Sequence, residues 1–277
     1  MREMSSANGP LSTYYDRLSR YGALARLIGR DGGHARASVH RLLRSDDPAI
    51  DPADVIHMKI AARLTAAPGR VLDAGCGLGG TSFHFARTFG AQCDGLTLSP
   101  AQAATATAGA AARGLAAHCR FRVASYDAPL DGRYDLIVAI ESLAHSADLS
   151  ASLANLALAL APGGLLAVVD DVREPTADAG DAPAFVSGWQ APGFRTRAQW
   201  HDAFAAAGLK IAAEDDLTPL VPRRAPALRE GLLLANRIAA LVPVAGWRGV
   251  LASHRGGLAL ERLYAAGGAS YRLFVGV

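Results

Sequence analysis

Charge is scarce in this sequence, and almost none of its positive charge comes from lysine. Only 19% of the 277 residues are charged, with 28 basic against 25 acidic side chains and a net charge of +3. Lys59 and Lys210 are the only lysines, so arginine supplies nearly all of the basic side chains. Nucleic-acid-binding proteins usually carry a clustered basic face, which so small a surplus does not indicate, and we expect no nucleic-acid partner. The hydrophobic share of 51% excludes global disorder.

Cysteines and long apolar runs are also scarce. Cys76, Cys93 and Cys119 have no spacing typical of a metal site or a disulfide framework, and unpaired cysteines fit a reducing compartment. The longest apolar candidate, residues 232–247, is interrupted by polar side chains and proline and is too short to span a bilayer. The first ten residues lack the apolar segment of a secretory signal peptide. We therefore expect a cytoplasmic protein without stable membrane insertion.

From residue 70 onward, short apolar segments alternate with helical ones. Such alternation is typical of βαβ units and a parallel sheet. Ser99 and Thr196 each begin a sequence typical of a capping box at the start of a helix. The pattern predicts an α/β fold with a doubly wound, Rossmann-like, mostly parallel seven-stranded sheet whose last strand is antiparallel. The expected strands cover residues 70–74, 92–97, 120–124, 134–140, 165–170, 209–213 and 271–277.

Two stretches outside this alternation predict a helical cap. We expect residues 1–50 to form an N-terminal helical cap segment and residues 51–216 to form the Rossmann-like core. Residues 217–268 are mostly helical in character and precede the final core strand, within residues 269–277. An insertion at that point of the fold predicts a helical lid over the carboxyl edge of the sheet.

A glycine-rich loop between the first predicted strand and the next helix is the strongest functional signal. Gly75, Gly77 and Gly80 satisfy the pattern G-x-G-x-x-G, which is typical of loops that bind dinucleotides. Asp94, 19 residues after Gly75, is compatible with ribose binding by a nicotinamide enzyme. However, Asp73 lies two residues before the first glycine. Its carboxylate would repel a pyrophosphate there but could bind the ammonium group of S-adenosylmethionine.

The segments LDAGCGLGGTSFHF (residues 72–85) and GLTLSPAQ (residues 95–102) resemble those of class I S-adenosylmethionine-dependent methyltransferases. The resemblance covers residues 54–172 most clearly and is to a branch of tocopherol, sterol and sugar-O-methyltransferase-like enzymes. It implies S-adenosyl-L-methionine as cofactor and S-adenosyl-L-homocysteine as product. Most class I enzymes have an acidic residue where this chain has Thr97, so Thr97 and Gln102 are the expected partners of the ribose hydroxyls. The cofactor-binding residues implied by the resemblance are Asp73, Gly75, Cys76, Gly77, Thr97, Leu98, Gln102, Ser125, Tyr126 and Ile140.

Ionisable side chains lie at the ends of the fourth and fifth predicted strands. Ligands of doubly wound sheets bind at the carboxyl ends of the strands, so Glu141, His145 and Asp170 are placed to face a transferable methyl group. A histidine that titrates near neutral pH suits the removal of a proton from a hydroxyl acceptor, and a carboxylate could orient its ring. In sugar-O-methyltransferase-like members, the resemblance links the positions of His145 and Asp170 to catalysis. In sterol C-methyltransferase-like members, acidic residues of the same stretch are expected to steady a carbocation.

The function expected from these residues is methyl transfer to a small-molecule acceptor of specialised metabolism. We expect O-methylation with His145 as general base, and C-methylation of an isoprenoid-like alkene is the alternative. A cyclase that binds the cofactor without methyl transfer, and a nicotinamide oxidoreductase, are rivals from other classes. Aromatic residues such as Trp189 could line an apolar acceptor pocket, and arginines of the cap could hold an acidic group of the acceptor. The sequence leaves the oligomeric state open.

The remaining histidines and most cap arginines are expected to have structural roles. No histidine spacing is typical of a metal site, so we predict surface or packing positions and no metal ligation. Most arginines of the cap, a group that includes Arg41, are expected on solvated faces, and Trp200 and Phe204 are expected in the core because of their helical spacing. The histidines concerned are His34, His40, His57, His84, His118, His201 and His254.

Overall fold

The computed structural model describes residues 37–178, 180–241 and 247–277. Residues 1–36 of the predicted N-terminal cap, with His34, lie outside them. Helices and strands alternate along the described chain in the following order: α1 Val55–Ala61, β1 Arg70–Ala74, α2 Gly80–Phe89, β2 Gln92–Thr97, α3 Pro100–Ala112, β3 Cys119–Val123, β4 Tyr134–Ile140, a 3₁₀ turn Leu143–His145, α4 Leu149–Leu158, β5 Leu160–Arg173, α5 Asp181–Trp189, α6 Arg197–Ala206, β6 Ile211–Asp216, a 3₁₀ turn Thr218–Leu220, α7 Pro226–Ala239, α8 Trp247–Ala266 and β7 Ala269–Gly276.

All seven strands belong to one sheet in the order β3-β2-β1-β4-β5-β7-β6. The strands from β1 to β5 are parallel, whereas β7 runs antiparallel to both β5 and β6. The predicted fold class is therefore confirmed. The chain first proceeds outward from β1 to β3 and then returns to place β4 on the other side of β1. The carboxyl edge at this change of direction is where ligands bind in such sheets.

Capping residues begin two of the helices as the sequence predicts. Thr196 forms a complete capping box with Gln199 at α6. At α3, the Ser99 side chain accepts a hydrogen bond from the Gln102 N–H at 3.1 Å. In a complete capping box the Gln102 side chain would in turn accept a hydrogen bond from the Ser99 N–H. Here it accepts one from the Thr97 hydroxyl at 2.8 Å instead.

Several element boundaries differ from the prediction. Asp51 followed by Pro52 is typical of the start of a helix and predicts one there, whereas helix α1 begins three residues later, at Val55. Strand β5 begins earlier and ends later than residues 165–170, because its final residues continue to pair with β7 as far as Arg173. Strand β6 covers Ile211–Asp216 and includes the acidic residues after 213. It is an edge strand, so charged side chains such as Glu214 can pair on its surface, here with Arg272 at 3.0 Å.

Aromatic side chains fill the layer between the sheet and α6. Trp200 and Phe204 are 1% and 0% exposed, which confirms their predicted core positions. Both rings pack on Phe274 of β7, with ring centroids 5.6 and 6.0 Å apart. The opposite face of the sheet is covered by α1, α2 and α8, whose buried residues include Phe85 and Leu260. Packing on both faces makes the sheet a rigid support for the loops at its carboxyl edge.

The described residues also include the three cysteines and the helices that could be considered as membrane spans. Cys76, Cys93 and Cys119 are buried and free, so they form no disulfide with one another. Among the helices that the structure describes, none combines the length and the apolar character required to cross a bilayer.

Candidate active site

The loop after β1 and the loop after β4 lie in direct contact at the carboxyl edge of the sheet. The N–H groups of Gly75 and Cys76 both donate to the carbonyl of Leu96, at 3.0 and 2.8 Å. The Ser142 hydroxyl donates to the Ala74 carbonyl at 2.7 Å. Gly75 has a φ of +102°, and a Cβ added there would lie 2.4 Å from the Ser142 Cβ. Only glycine satisfies both the backbone conformation and this close approach.

Asp73 is buried next to the glycine loop, as predicted from the sequence. It accepts hydrogen bonds from the Ser82 N–H at 3.2 Å and the Ser82 hydroxyl at 2.8 Å, both on Oδ2. Burial raises the pKa of the Asp73 carboxyl to about 6, although Ser82 lowers it. The group is therefore mainly ionised at neutral pH, and a bound ammonium would stabilise its charge further.

Residues 37–44, which we call the strap, cross the glycine loop on its open side. The Gly80 N–H at the start of α2 donates to the Ala37 carbonyl at 2.9 Å. Gly77 has a φ of +52°, and a Cβ added there would lie 2.5 Å from the Val39 Cγ2. The strap continues to the other side of the site, where the Arg44 N–H donates to the Leu220 carbonyl at 2.8 Å. The glycine loop is thus covered by the protein itself, and Gly77 provides room for the strap.

The residues expected at the ribose are bonded to one another. Thr97 and Gln102 are both buried, and the hydroxyl of Thr97 donates to the Gln102 side chain. The Ser99 N–H donates back to the Thr97 hydroxyl at 3.2 Å. Their role toward a ribose stays a prediction. Leu98, which follows Thr97, is half-buried. Cys76 is buried, and burial holds the pKa of its thiol well above the usual value; its role in cofactor binding stays a prediction.

The loop after β3 is tied to the loop after β4 by Tyr126. Its hydroxyl donates to the Ser142 carbonyl at 3.0 Å, next to the buried Ile140. The Ser125 hydroxyl accepts the Asp127 N–H at 3.0 Å. Asn155 of α4, which the sequence did not single out, donates to the carbonyl of Tyr126 at 2.6 Å. These contacts hold the segment expected to bind adenine, and its binding role stays a prediction.

Asp170 is hydrogen-bonded to the main chain of the turn after β4, and this turn carries His145. Burial lowers the pKa of the His145 ring to about 4, against a hydrogen bond with the Gln190 backbone that raises it. Asp170 accepts hydrogen bonds from the N–H groups of Ala144 and Asp171, both at 2.9 Å. Asp170 therefore holds the turn that carries His145, and His145 is neutral at pH 7.

The pKa of Asp170 makes the stability of the ligand-free protein fall as the pH rises through the neutral range. Burial raises this pKa to about 8, and the charge of Asp171 adds to the shift. In the unfolded chain the carboxyl ionises near its ordinary pKa of about 3.9, so between about pH 4 and pH 8 only the folded state binds the extra proton. The free energy of unfolding should then fall by up to about 1.4 kcal/mol per pH unit over this interval and level off above about pH 8.

Calorimetric melting of the ligand-free wild type and of Asp170→Asn checks this expectation. The wild type should lose more stability than the variant over that pH range, because Asn cannot ionise. Parallel pH profiles for the two proteins would show that the Asp170 pKa is not raised.

A buried cluster around Arg41 lies beside these residues. The guanidinium donates to Asp171 Oδ1 and to the Tyr264 hydroxyl, each at 2.8 Å, and it lies 4.6 Å above the ring of Tyr271. Tyr264 also donates to Asp171. The Arg41 side chain is only 15% exposed, so this arginine is an exception to the solvated faces expected for most arginines of the cap. A guanidinium is stable in such a place because it is paired with a carboxylate and two aromatic rings.

Glu141 has a backbone conformation that is uncommon outside glycine. Its φ is +50°, directly after β4. Its Oε1 atom accepts hydrogen bonds from the Tyr271 hydroxyl at 2.8 Å and from the Arg41 N–H at 3.0 Å. Its own N–H donates to the Val169 carbonyl at 2.8 Å. Backbone strain of this kind persists where several contacts fix it, and it is concentrated at functional sites.

Three buried carboxyl groups lie at the carboxyl edge of the sheet, and Arg41 pairs with one of them. Burial raises the pKa of Asp73, Asp170 and Asp171, and Arg41 lowers that of Asp171 without cancelling the effect. A carboxyl whose pKa is raised in this way gains stability in its charged form when a cation binds beside it. The arrangement therefore favours a positively charged ligand.

A cavity of about 520 Å³ lies between the strap, Glu141 and α8. This volume is within the range of small-molecule sites. Trp189 and Leu258 supply apolar wall, Arg223 supplies positive charge, and Arg224 is paired with Glu261 of the same wall. Of the three predicted catalytic residues, Glu141 lines this cavity, whereas His145 and Asp170 are not among the described residues of its wall.

The sequence predicted the strand-end residues of this site but not the cluster that surrounds Glu141. Asp171 directly follows Asp170, and this pair of acids at the end of a strand was a usable signal. Tyr264 and Tyr271 reach the site from α8 and β7, and their spacing in the sequence contains no indication of it.

The chain is similar to known proteins both in sequence and in structure. Residues 43–214 match the family model described as a methyltransferase domain. Tocopherol O-methyltransferase of Arabidopsis thaliana is 44% identical over 102 residues, which are 36% of this chain and 29% of that protein. Norajmaline N-methyltransferase of Rauvolfia serpentina is 36% identical over 104 residues, which are 37% and 36% of the two chains. The matched segment thus spans about a third of the length of these curated relatives.

Solved structures with the same fold cover nearly the whole chain. The [4+2]-cyclase SpnF aligns with a TM-score of 0.71 and 22% identity, covering 96% of this chain and 93% of that one. The geranyl diphosphate C-methyltransferase of Streptomyces coelicolor aligns with a TM-score of 0.69 and 19% identity, covering 95% and 97%. At these identities the alignments show a shared fold.

Proposed function

Because the chain belongs to the methyltransferase-domain family of class I S-adenosylmethionine-dependent enzymes, we propose that it transfers the methyl group of S-adenosyl-L-methionine to a small molecule. The product of the cofactor is then S-adenosyl-L-homocysteine. The observation that carries this proposal is the buried Asp73 carboxylate beside the glycine loop, which is held by two hydrogen bonds from Ser82 and has no cationic partner among its described contacts. A sulfonium and an ammonium would be stabilised there, whereas the pyrophosphate of a nicotinamide cofactor would be repelled.

The residues of the glycine loop fit this cofactor. Asp73 is buried and ionised where an ammonium group can pair with it, and Gly75 and Gly77, both with positive φ, add no side chain of their own to the loop. When bound, the cofactor supplies an electrophilic methyl group. Thr97 and Gln102 would bind the ribose, and the loop of Ser125 and Tyr126 would lie against the adenine.

For a hydroxyl acceptor, we propose His145 as the general base. The ring is neutral at pH 7 because burial lowers its pKa to about 4, so it can accept a proton without first losing one. Asp170 would maintain the turn by its hydrogen bond to the Ala144 N–H. The low pKa makes His145 a weaker base than an exposed histidine, and the acceptor proton must therefore be transferred as the methyl bond forms.

Methyl transfer to carbon is the second candidate, and the position of Glu141 favours it. Glu141 lines the cavity and is fixed there by Tyr271 and the strap. A fixed carboxylate at an apolar cavity would stabilise the carbocation left when an alkene is methylated. The C-methyltransferase with the same fold acts on geranyl diphosphate, as its name states.

The cavity also supports an acceptor that is mainly apolar and has an acidic group. Trp189, Leu258 and Leu260 form apolar wall, and Arg223 and Arg224 line the same cavity. Arginine binds carboxylates and phosphates through paired hydrogen bonds. We therefore propose that the acidic group of the acceptor lies near these arginines and its reacting atom near Glu141.

Binding of S-adenosylhomocysteine tests the cofactor assignment directly. At a hundredfold excess over Kd, the ligand should stabilise the protein by about 2.7 kcal/mol and raise Tm by about 5–10 °C. Asp73→Asn should reduce the affinity at least about tenfold, because it removes the charge that pairs with the ammonium. Asn retains an oxygen that can accept from Ser82.

Asp94→Asn is the matched control for this experiment. Asp94 lies on the adjacent strand, accepts a hydrogen bond from the Tyr134 hydroxyl at 3.0 Å, and is the acid that a nicotinamide enzyme would use for ribose. It should leave the affinity for S-adenosylhomocysteine unchanged. A protein that binds NADH, and loses that binding in Asp94→Asn, would refute the proposal.

A further inference from the structure

Asp54, His57 and His84 lie together where α1 meets α2. Asp54 Oδ1 is 2.8 Å from His84 Nδ1 and 3.4 Å from His57 Nδ1. One ligand atom from each of the three residues lies within 4.8 Å of the other two. The histidines are 1% and 7% exposed, whereas the Asp54 side chain is 30% exposed and gives access from solvent. None of the three is among the described residues that line the cavity.

The orientation of Asp54 is not explained by helix capping. Asp54 occupies the N-cap position of α1, but its side chain makes no capping hydrogen bond. Aspartate at this position usually accepts a hydrogen bond from the first turn of the helix. Here the carboxylate is directed to the two imidazole rings, whose centroids are 4.7 Å apart. The histidines, and not the helix end, determine where this carboxylate lies.

The far side of the His57 ring is also fixed. Its Nε2 atom lies 3.1 Å from the hydroxyl of Thr81, a buried residue in the first turn of α2. Histidines that bind metals through one ring nitrogen usually have the other nitrogen held by a hydrogen bond.

We propose that Asp54, His57 and His84 bind one divalent transition-metal ion of the zinc class. Two imidazole nitrogens and one carboxylate oxygen are a ligand set that Zn²⁺ and Co²⁺ accept, with water completing the coordination. Ligand atoms about 2.0–2.1 Å from a tetrahedral ion lie roughly 3.3 Å from one another, so small side-chain movements bring these three into place. This proposal differs from the prediction of no metal ligation, which was made because no histidine spacing in the sequence is typical of a metal site. His57 and His84 lie 27 positions apart in the chain.

The bound ion would connect α1 to the helix that begins in the glycine loop. Thr81 follows Gly80 directly, and α2 also carries Ser82, the hydrogen-bond partner of Asp73. Fixing α2 against α1 would therefore stabilise the part of the fold that supports the proposed cofactor site. The ion has a structural role in this account and takes no part in methyl transfer.

Arg87 distinguishes a metal site from a simple hydrogen-bonded network. Its Nη2 atom lies 3.5 Å from Asp54 Oδ2, and its side chain is 63% exposed. A cation beside a ligand carboxylate opposes the binding of a metal ion. Arg87→Gln should therefore increase the metal affinity several-fold, and replacement of so exposed a side chain should leave the fold intact.

The experiment uses the full chain without a histidine tag, treated with chelator and then titrated with Co²⁺ and, in competition, Zn²⁺. The wild type should bind one Co²⁺ per chain, with visible absorption of a tetrahedral site, and Tm should rise by about 5–10 °C at a hundredfold excess over Kd. His84→Gln and Asp54→Asn should lose binding at least about a hundredfold. His201→Gln, which alters an exposed histidine paired with Glu214, should bind like the wild type.

Each outcome decides the proposal. Stoichiometric binding that is lost in His84→Gln and strengthened in Arg87→Gln supports it. Absence of stoichiometric binding in the wild type, or equal binding by the wild type and His84→Gln, overturns it and leaves the three residues as a hydrogen-bonded network. If His84→Gln does not fold, an unchanged affinity in Arg87→Gln overturns it in the same way. Binding of S-adenosylhomocysteine, measured separately, is independent of these results.

Discussion

Gly75→Val should abolish detectable binding of S-adenosylhomocysteine, with an affinity loss of at least about a hundredfold, and should lower Tm. Gly75 has a φ of +102°, and an added Cβ would lie 2.4 Å from the Ser142 Cβ. A side chain there must push the loop after β4 away from the loop after β1. These two loops carry Glu141 and the glycine turn, so the cofactor site loses its shape. Isothermal titration with S-adenosylhomocysteine measures the loss.

A matched control separates this clash from backbone strain alone. Gly114 has a φ of +69°, and no atom lies within 4 Å of an added Cβ. Gly114→Val therefore carries a similar conformational cost, on the order of 1–2 kcal/mol, without any steric conflict. It should bind the ligand like the wild type.

If Gly75→Val does not fold, a compensating substitution at Ser142 still tests the steric clash. Ser142→Gly removes the Cβ that an added side chain at Gly75 would meet, and it should partly restore binding to the milder variant Gly75→Ala. Ligand affinity in Gly75→Val equal to that of Gly114→Val would contradict the account of the loop.

His145→Ala should reduce turnover by roughly 10²–10⁴-fold if the acceptor is a hydroxyl. The loss should appear in kcat, because His145 is proposed to accept the proton during methyl transfer. With a His145 pKa of about 4, the wild-type rate should stay level through neutral pH and fall only in acid. Product analysis by mass spectrometry and a pH–rate profile measure both effects. His254→Ala, which alters a histidine of the cavity wall, is the control and should mainly raise KM.

The same experiment with Glu141→Gln separates the two chemistries. If carbon is methylated, no proton leaves before transfer, so Glu141→Gln should reduce the rate more than His145→Ala. An enzyme with His145→Ala that still forms a single O-methylated product at near the wild-type rate would exclude the base role of His145.

Local chemistry explains why the architecture could be predicted from the sequence. Apolar runs such as β4, and caps such as Ser99 and Thr196, act over a few residues, and the structure confirms that these two side chains accept the capping hydrogen bonds. Strand topology then brings Asp73, Glu141 and Asp170 to one edge. Boundaries were less predictable where partners decide them, as in β5, whose length is set by pairing with β7.

The environment of Glu141 could not be predicted because it depends on residues that are distant in the chain. Arg41 is 130 positions from Asp171 and 223 from Tyr264, yet it binds both. Arg41 is one arginine among many in an arginine-rich sequence, so composition favoured a solvated position. Only the packing of the strap against α8 and β7 shows that this guanidinium is buried and paired.

The proposed base shows the same dependence on environment. The position of His145 after β4 predicted a histidine that titrates near neutral pH. Burial instead lowers its pKa to about 4, while burial raises that of Asp170 to about 8. Residue type and position indicate which groups can exchange protons, and the surrounding packing determines at which pH they do so.

Isothermal titration of the full-length wild type with S-adenosylhomocysteine, and in parallel with NADH, tests the central claim most directly. The account predicts one S-adenosylhomocysteine bound per chain and no heat of binding with NADH. No binding of S-adenosylhomocysteine by a folded protein, together with saturable binding of NADH, would contradict it.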